Sequence, residues 1–364
     1  MTAAAGQATP VSLLIVDDSP AVRGMIRAML EGDGGIRIVG EAATGGEAVE
    51  MARKLRPAVI LMDLQMPEMD GIEATGRIMS ERAVPIIAFS SFTWGDDAKA
   101  SIEMLAAGAL DVMPKPDLGG DGSLRECSET LRRKIRTASR VAVVRHLRRS
   151  APPAHAGWRC PAPEEGRAYQ ALGVGASTGG PAALRELFSG LPAGFPLPVL
   201  VVQHITRGFT EGFVEWLRQH TPLAVRVAEA HDRAVPGTIL LAPEGRQLEL
   251  LPGGEVRAVS RVPSGVHLPS ADTLLSSIAA SCGKGGIGVL LTGMGADGVE
   301  GLLAIRKAGG LTLAQSEGTC AVYGMPREAV RRGAALQVMS PAAMAGFLRR
   351  LAGNGAAGKG GERA

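Results

Sequence analysis

Short β-branched runs alternate with helix-period stretches over nearly all of the 364-residue chain, and the rhythm breaks once, near the middle. Alternation of this kind packs as a doubly wound parallel sheet, with functional residues gathered at the carboxyl ends of the strands. In the first half Ser12–Val16, Ile36–Gly40, Val59–Met62, Pro85–Ser90 and Leu110–Met113 read as strands. Pro20–Glu31, Gly45–Leu55, Gly71–Arg82 and Asp97–Ala107 read as helices, the first opened by Ser19 as cap and Pro20 behind it. The second half repeats the pattern from Tyr169 to about Leu351. Its expected strands are Gln170–Val174, Val199–Gln203, Leu223–Ala228, Ile287–Thr292, Leu311–Ala314 and Leu336–Met339. Thr238–Ala242 and Gln247–Leu251, followed by Pro252-Gly253-Gly254, read as an antiparallel excursion.

The break has its own chemistry. Arg132 to Arg149 carries eight basic residues and no acid, and two Pro-rich clusters follow it. A solvated tether is the simple reading, and an electrostatic dock for an acidic partner is the sharper one. The expected organisation is a lead-in over residues 1–10, an α/β domain over 11–130, a basic, Pro-rich linker over 131–167, a second α/β domain over 168–352 and a flexible Gly-rich tail over 353–364.

Composition excludes several classes. A net charge of +3 argues against nucleic-acid binding by bulk charge, and 3% aromatic residues argue against a base-stacking platform. The four cysteines are far apart with no C-x-x-C pair, so no zinc site or disulfide framework is expected. No run reaches the roughly 18 apolar residues of a membrane span, and the first ten residues lack the basic start of a secretory signal. A cytoplasmic protein is expected.

Two constellations carry chemistry. Asp17 and Asp18 end the first expected strand and Asp63 the third, which are neighbours in a doubly wound sheet. Crowded carboxylates raise one another's pKa unless a cation neutralises them, and Mg²⁺ takes carboxylate and phosphate oxygens together. Ser90 and Lys115, at the ends of the fourth and fifth strands, add a hydroxyl and an ammonium suited to a phosphoryl oxygen on Asp63. The second constellation begins with Gly175-Ala176-Ser177-Thr178-Gly179, a G-x-S-x-G sequence at a strand-to-helix turn. His204 closes the next strand, within reach of Ser177 across about 4.8 Å of sheet. Asp297 lies beyond a further strand, where it could orient the histidine or cap the helix from Val299. The free N–H groups of the helix start suit an oxyanion, with Thr178 and Gly179 as candidate donors and Met294 as a third. A dinucleotide or methyl-donor site at Gly173-Val174-Gly175 is disfavoured, because Thr178 displaces the third glycine and the following strand ends in Gln203-His204 rather than an acid.

The first half resembles the response-regulator receiver family through Ile15-Val16-Asp17-Asp18-Ser19, Met62-Asp63 with Asp70-Gly71, Ser90-Ser91 and Lys115-Pro116. With it in front, Gly175–Gly180, Gln203-His204, His267–Asp272, Leu291–Gly298 and Tyr323–Arg327 resemble the chemotaxis response-regulator protein-glutamate methylesterases. The resemblance implies a flavodoxin-like receiver followed by a Rossmann-like catalytic domain. It implies Ser177, His204 and Asp297 as a triad, Asp63 as the phosphorylated residue, and Mg²⁺ as the receiver's cation, with no cofactor for ester hydrolysis. It further implies glutamate methyl esters and certain glutamines of chemoreceptors as substrates, and a chemotaxis sensor histidine kinase as phosphodonor. Val112 stands where receivers usually carry Tyr or Phe, and Leu268 where an Arg is common. Two other classes remain as readings: a phosphorylation-gated adaptor with a dead esterase domain, and a DNA-binding regulator using the basic linker, although no helix-turn-helix follows.

Overall fold

The computed structural model describes residues 9–90, 96–116, 121–141, 168–260 and 267–356. The lead-in before residue 9, Ser91, the Pro-rich stretch and arginines beyond 141, the segment 261–266 and the tail beyond 356 lie outside the described residues. The chain divides into two compact units, Met1–Arg145 and His146–Ala364.

The first unit runs β1 (Val11–Val16), α1 (Pro20–Leu30), β2 (Ile36–Ala42), α2 (Gly45–Leu55), β3 (Val59–Met62), α3 (Gly71–Glu81), β4 (Ile86–Ser90), α4 (Asp96–Ala107), β5 (Asp111–Pro114) and α5 (Asp121–Ser139). Its sheet is parallel in the order β2-β1-β3-β4-β5. Leu13, Leu14, Ile15, Val59, Ile60 and Ile86 are wholly buried, as expected of strands covered on both faces. Because β1 and β3 are neighbours, the chain just past each meets at one edge.

The expected linker from residue 131 is corrected by α5. This helix continues to Ser139, and its Leu131, Ile135 and Ala138 are buried at the spacing of one helical face. Three of the basic residues of that stretch are bound to the first unit. Arg132 donates to the Met29 carbonyl at 2.7 Å, Arg136 pairs with Asp33 at 2.6 Å, and Lys134 pairs with Asp111.

The second unit runs β6 (Ala171–Ala176), α6 (Gly180–Ser189), β7 (Val199–Gln203), α7 (Thr210–Arg218), β8 (Ala224–Val227), β9 (Asp232–Arg233), β10 (Thr238–Leu241), β11 (Gln247–Leu250), β12 (Glu255–Val259), α8 (Ala271–Cys282), β13 (Gly286–Leu290), α9 (Val299–Lys307), β14 (Leu311–Gln315), α10 (Met325–Arg331), β15 (Gln337–Met339) and α11 (Pro341–Ala356). Seven strands form the main sheet in the order β15-β14-β13-β6-β7-β10-β8, and all their pairings are parallel. Thr238–Ala242 was expected in the antiparallel excursion, and this is corrected: β10 lies parallel between β7 and β8. Its four residues are all buried, the pattern of an interior parallel strand. Gln247–Leu250 does pair antiparallel, with β12, in a small sheet with β9. Residues 353–356, expected in the flexible Gly-rich tail, belong instead to α11, which extends to Ala356; the rest of the expected tail lies outside the described residues.

Strand β6 is central, with β13 on one side and β7 on the other. A side chain at Gly173 or Gly175 would collide with α8, through Ile278 and Leu275 in the first case and Ala271 in the second. These glycines let the helix lie close on the sheet, which accounts for the G-x-G spacing without any bound nucleotide.

Candidate active site and acidic pocket

In the first unit the carboxylate oxygens of Asp17, Asp18 and Asp63 come within 4.8 Å of one another. Asp17 is 1% exposed and Asp63 6%, whereas Asp18 is exposed. Arg23 fastens the turn by donating to the Asp17 carbonyl at 2.6 Å and the Asp18 carbonyl at 3.2 Å. On the other side, a side chain at Gly71 would strike the Asp63 carbonyl, so the Asp70-Gly71 pair lets α3 start against the Asp63 loop. Asp70 caps that helix by accepting from Glu73 N–H at 2.8 Å.

Lys115 Nζ stands 2.8 Å from Asp17 Oδ2 and 2.9 Å from Asp63 Oδ1. Burial pushes the Asp63 carboxyl up to about 6, against the opposing pull of Lys115. Burial also disfavours the Lys115 charge, but its bonds to Asp17 and Asp63 outweigh this and hold it above its ordinary value. Ser90 is buried at the end of β4, and its carbonyl accepts from Lys115 N–H at 2.7 Å. All five residues expected at this rim are thus at the carboxyl ends of β1, β3, β4 and β5. Three hard oxygen donors this close together suit a hard cation such as Mg²⁺. Val112 is buried within β5.

In the second unit Ser177 follows β6 and His204 follows β7, and the strands pair so that Ala176 faces Gln203. His204 N–H donates to the Ala176 carbonyl at 2.9 Å, which locks the two strand ends together. His204 Nε2 lies 2.9 Å from Asp297 Oδ2. The histidine side chain is 19% exposed and the aspartate side chain 5%, so the pair has a closed end and an open one. Ser177 comes from β6 and Asp297 from the loop after β13, so the central strand and both its neighbours each supply one of the three residues.

Asp297 does not cap the helix that follows it; Gly298 holds the cap position of α9 and makes no side-chain bond. Its carboxylate sits instead at the start of α8. It accepts from Ala271 N–H at 2.7 Å, Asp272 N–H at 3.1 Å and Ser270 Oγ–H at 2.7 Å. Burial opposes the Asp297 charge, yet the bond to His204 and these three others outweigh it and hold the carboxyl well below the usual range. The helix dipole acts in the same direction. Ser270, Gln203 and His267, whose ring stacks on His204 at 4.9 Å, were quoted only within motifs and given no role by the sequence.

The nucleophile turn is equally constrained. Gly179 has φ +76°, in the left-handed region that favours glycine, and leads directly into α6. A Cβ on Gly293 would lie 2.6 Å from the Ser177 Cβ, so only glycine lets the loop after β13 pass so close. Met294 is the next residue and is half-buried.

A flavodoxin-type sheet with an acidic pocket at its strand ends, and a second parallel-sheet domain with serine, histidine and a charge-stabilised aspartate at adjacent strand ends, are the arrangements of a receiver domain and of a hydrolase. Residues 13–119 match the response regulator receiver domain and residues 172–348 match the CheB methylesterase domain. The protein-glutamate methylesterase/protein-glutamine glutaminase 3 of Hahella chejuensis is 41% identical over 351 residues, covering 94% of this chain and 98% of that protein. The protein-glutamate methylesterase/protein-glutamine glutaminase 2 of Pseudomonas aeruginosa is 40% identical over 338 residues, covering 91% and 93%. The Thermotoga maritima CheB methylesterase catalytic domain, a solved structure, is 32% identical and covers 51% of this chain and 99% of its own, with a TM-score of 0.49. The chain belongs to the family of protein-glutamate methylesterases/protein-glutamine glutaminases with a receiver domain. Among the described residues no helix is long and apolar enough to cross a membrane.

Proposed function

We propose that the chain hydrolyses glutamate methyl esters, and deamidates certain glutamines, on chemoreceptors in the cytoplasm. The observation that carries this is the 2.9 Å contact between His204 and Asp297, set beside Ser177 at the end of the neighbouring strand. Asp297 engages Nε2 and so leaves Nδ1 of His204 to take the proton of the Ser177 hydroxyl. Ser177 Oγ attacks the ester carbonyl, and the charge on the carbonyl oxygen is held by the N–H groups of Thr178 and Gly179, with Met294 N–H beside them. The imidazolium then protonates the leaving group, so methanol departs from an ester and ammonia from a glutamine. Water, deprotonated by the same histidine, hydrolyses the acyl-enzyme. Throughout, the Asp297 charge steadies the imidazolium, and its four hydrogen bonds keep it from taking the proton itself. None of these steps calls for a cofactor.

The receiver sets when this happens. Asp63 accepts a phosphoryl group from a chemotaxis sensor histidine kinase, with Ser90 and Lys115 receiving the phosphoryl oxygens. Asp17, Asp18 and Asp63 would hold Mg²⁺, which neutralises charge on the incoming phosphoryl group. Phosphorylation then relieves inhibition of the catalytic domain. Val112 has no ring to turn, so this signal leaves the pocket without the aromatic rotamer change of other receivers.

The test is methanol release from methylated chemoreceptor membranes, with and without a small-molecule phosphodonor plus Mg²⁺. Release that rises with the donor is expected. Folded protein that releases no methanol in either condition would overturn the proposal.

A further inference from the structure

Two of the N–H groups assigned to the oxyanion, those of Thr178 and Gly179, belong to peptide units whose carbonyls are both gripped from behind. In a trans peptide the C=O of one residue and the N–H of the next point in opposite directions, so a carbonyl held on one side aims the N–H to the other. The Ser177 carbonyl accepts from Gln203 Nε2 at 2.8 Å as well as from Gly180 N–H at 2.8 Å, and the Gln203 nitrogen also donates to the His204 carbonyl at 2.8 Å. The Thr178 carbonyl accepts from Thr292 Oγ1–H at 2.9 Å. Among the described residues, Thr178 N–H and Gly179 N–H have no hydrogen-bond partner.

Both grips are built into the core. Gln203 is 6% exposed, and a side chain on Gly180 would collide with its amide, so the helix after the nucleophile begins with glycine to make room for it. Gln203 Oε1 is buried without a hydrogen-bond partner, while Nε2 faces two carbonyls, an arrangement that favours these two bonds over satisfying the whole amide. Thr292 is 1% exposed and uses every polar group it has. Its carbonyl accepts from Ser177 N–H at 3.0 Å, its N–H donates to Gln315 Oε1 at 2.7 Å, and its hydroxyl accepts from Val322 N–H at 2.9 Å. With that N–H supplied from Val322, the hydroxyl proton is directed at a carbonyl, and the shorter contact is to Thr178 rather than to Val322 at 3.1 Å.

We infer that Gln203 and Thr292 are positioning residues for transition-state stabilisation, each aiming one oxyanion donor through the peptide it holds. The inference rests on the proposed hydrolase mechanism with Ser177 as nucleophile. Neither side chain touches substrate, so their loss is felt when the carbonyl oxygen becomes an anion and not when substrate binds.

The experiment measures kcat and KM for methanol release, together with inhibition by a small boronic acid, which forms a tetrahedral adduct with an active serine. Thr292→Val keeps the shape of the residue and removes the hydroxyl. It should lower kcat by about 10- to 100-fold, up to the cost of misplacing a group by about 1 Å and less than the outright loss of an oxyanion donor, with KM nearly unchanged. Boronate affinity should fall in step with kcat, and Thr292→Ser should recover most of both. Gln203→Met, which removes the donor at similar length, should act in the same direction and is the second arm should Thr292→Val not fold. Wild-type kcat and boronate affinity in either folded variant would overturn the inference, as would a Thr292→Ser defect equal to that of Thr292→Val. Ser177→Ala in the same assay separates the two levels: if it retains turnover the mechanism itself fails, and if it is inactive while Thr292→Val is normal, only the positioning role fails.

Discussion

Asp63 and Asp297 are both buried aspartates just past a parallel strand, yet their environments push them in opposite directions. Burial dominates at Asp63, where the one nearby ammonium is shared with Asp17, and the carboxyl rises to about 6. Burial is no less real at Asp297, but four hydrogen bonds, two of them from the first N–H groups of α8, hold the charge in place. Hydrogen bonds to the charged form offset desolvation only when donors are already pointed at the oxygens. The first arrangement leaves a carboxylate that gains by taking up a cation or a phosphoryl group. The second leaves an anion with nothing further to accept.

The largest effect that would break this contrast is on Asp297. Asp297→Asn leaves the shape of the residue but removes the charge and the preference for one histidine tautomer, so kcat for methanol release should fall by about 10³- to 10⁴-fold. A loss of tenfold or less in steady-state turnover would mean that the charge held at the start of α8 is not part of the chemistry.

A smaller effect of the other sign is expected at Asp63. The folded metal-free chain binds this proton more tightly than the unfolded chain, because its pKa of about 6 lies above the ordinary 3.8. The cost of the buried charge is therefore absent below about pH 4, grows through the window up to about pH 6 and is fully present above it. Asp63→Asn removes that cost. In chelator it should stabilise the receiver at pH 7 by on the order of 2 kcal/mol and make little difference at pH 4, read by native-state hydrogen exchange at β1 and β3 amides. Equal stabilisation at both pH values would show that the carboxylate charge is not what costs stability.

The smallest effect concerns the surface that closes the first unit. Arg132→Ala removes donors to the Met29 and Glu31 carbonyls, and should lower receiver stability by about 1 kcal/mol in the same exchange experiment. No change would return this part of α5 to the status of a solvated linker.

How much of this was legible depended on whether the information is local. Asp17, Asp63, Ser90 and Lys115 were found because a strand end can be seen in a single segment and the doubly wound order makes those ends neighbours. Ser177 and His204 followed from the same rule. The start of α5's basic face was misjudged because eight cationic residues outweighed a three-residue apolar stripe, Leu131, Ile135 and Ala138, that only packing reveals as a buried face. Thr238–Leu241 was recognised as a strand but given the wrong partners, since a strand's sequence carries its burial and not the direction of its neighbours.

The sequence by itself determined the two parallel α/β domains, the acidic rim and the residues able to serve as nucleophile, base and orienting acid. Each of these is written in spacing along the chain, and hydrophobic periodicity imposes it on any fold the chain can adopt. Only the tertiary structure decided that Asp297 is held by the start of α8 rather than by its own helix, and that Gln203 and Thr292 grip the nucleophile turn. Those contacts join residues up to 114 positions apart. A hydrogen bond depends on distance and angle in space, and no periodicity along the chain records which donor will meet which acceptor when the sheet closes.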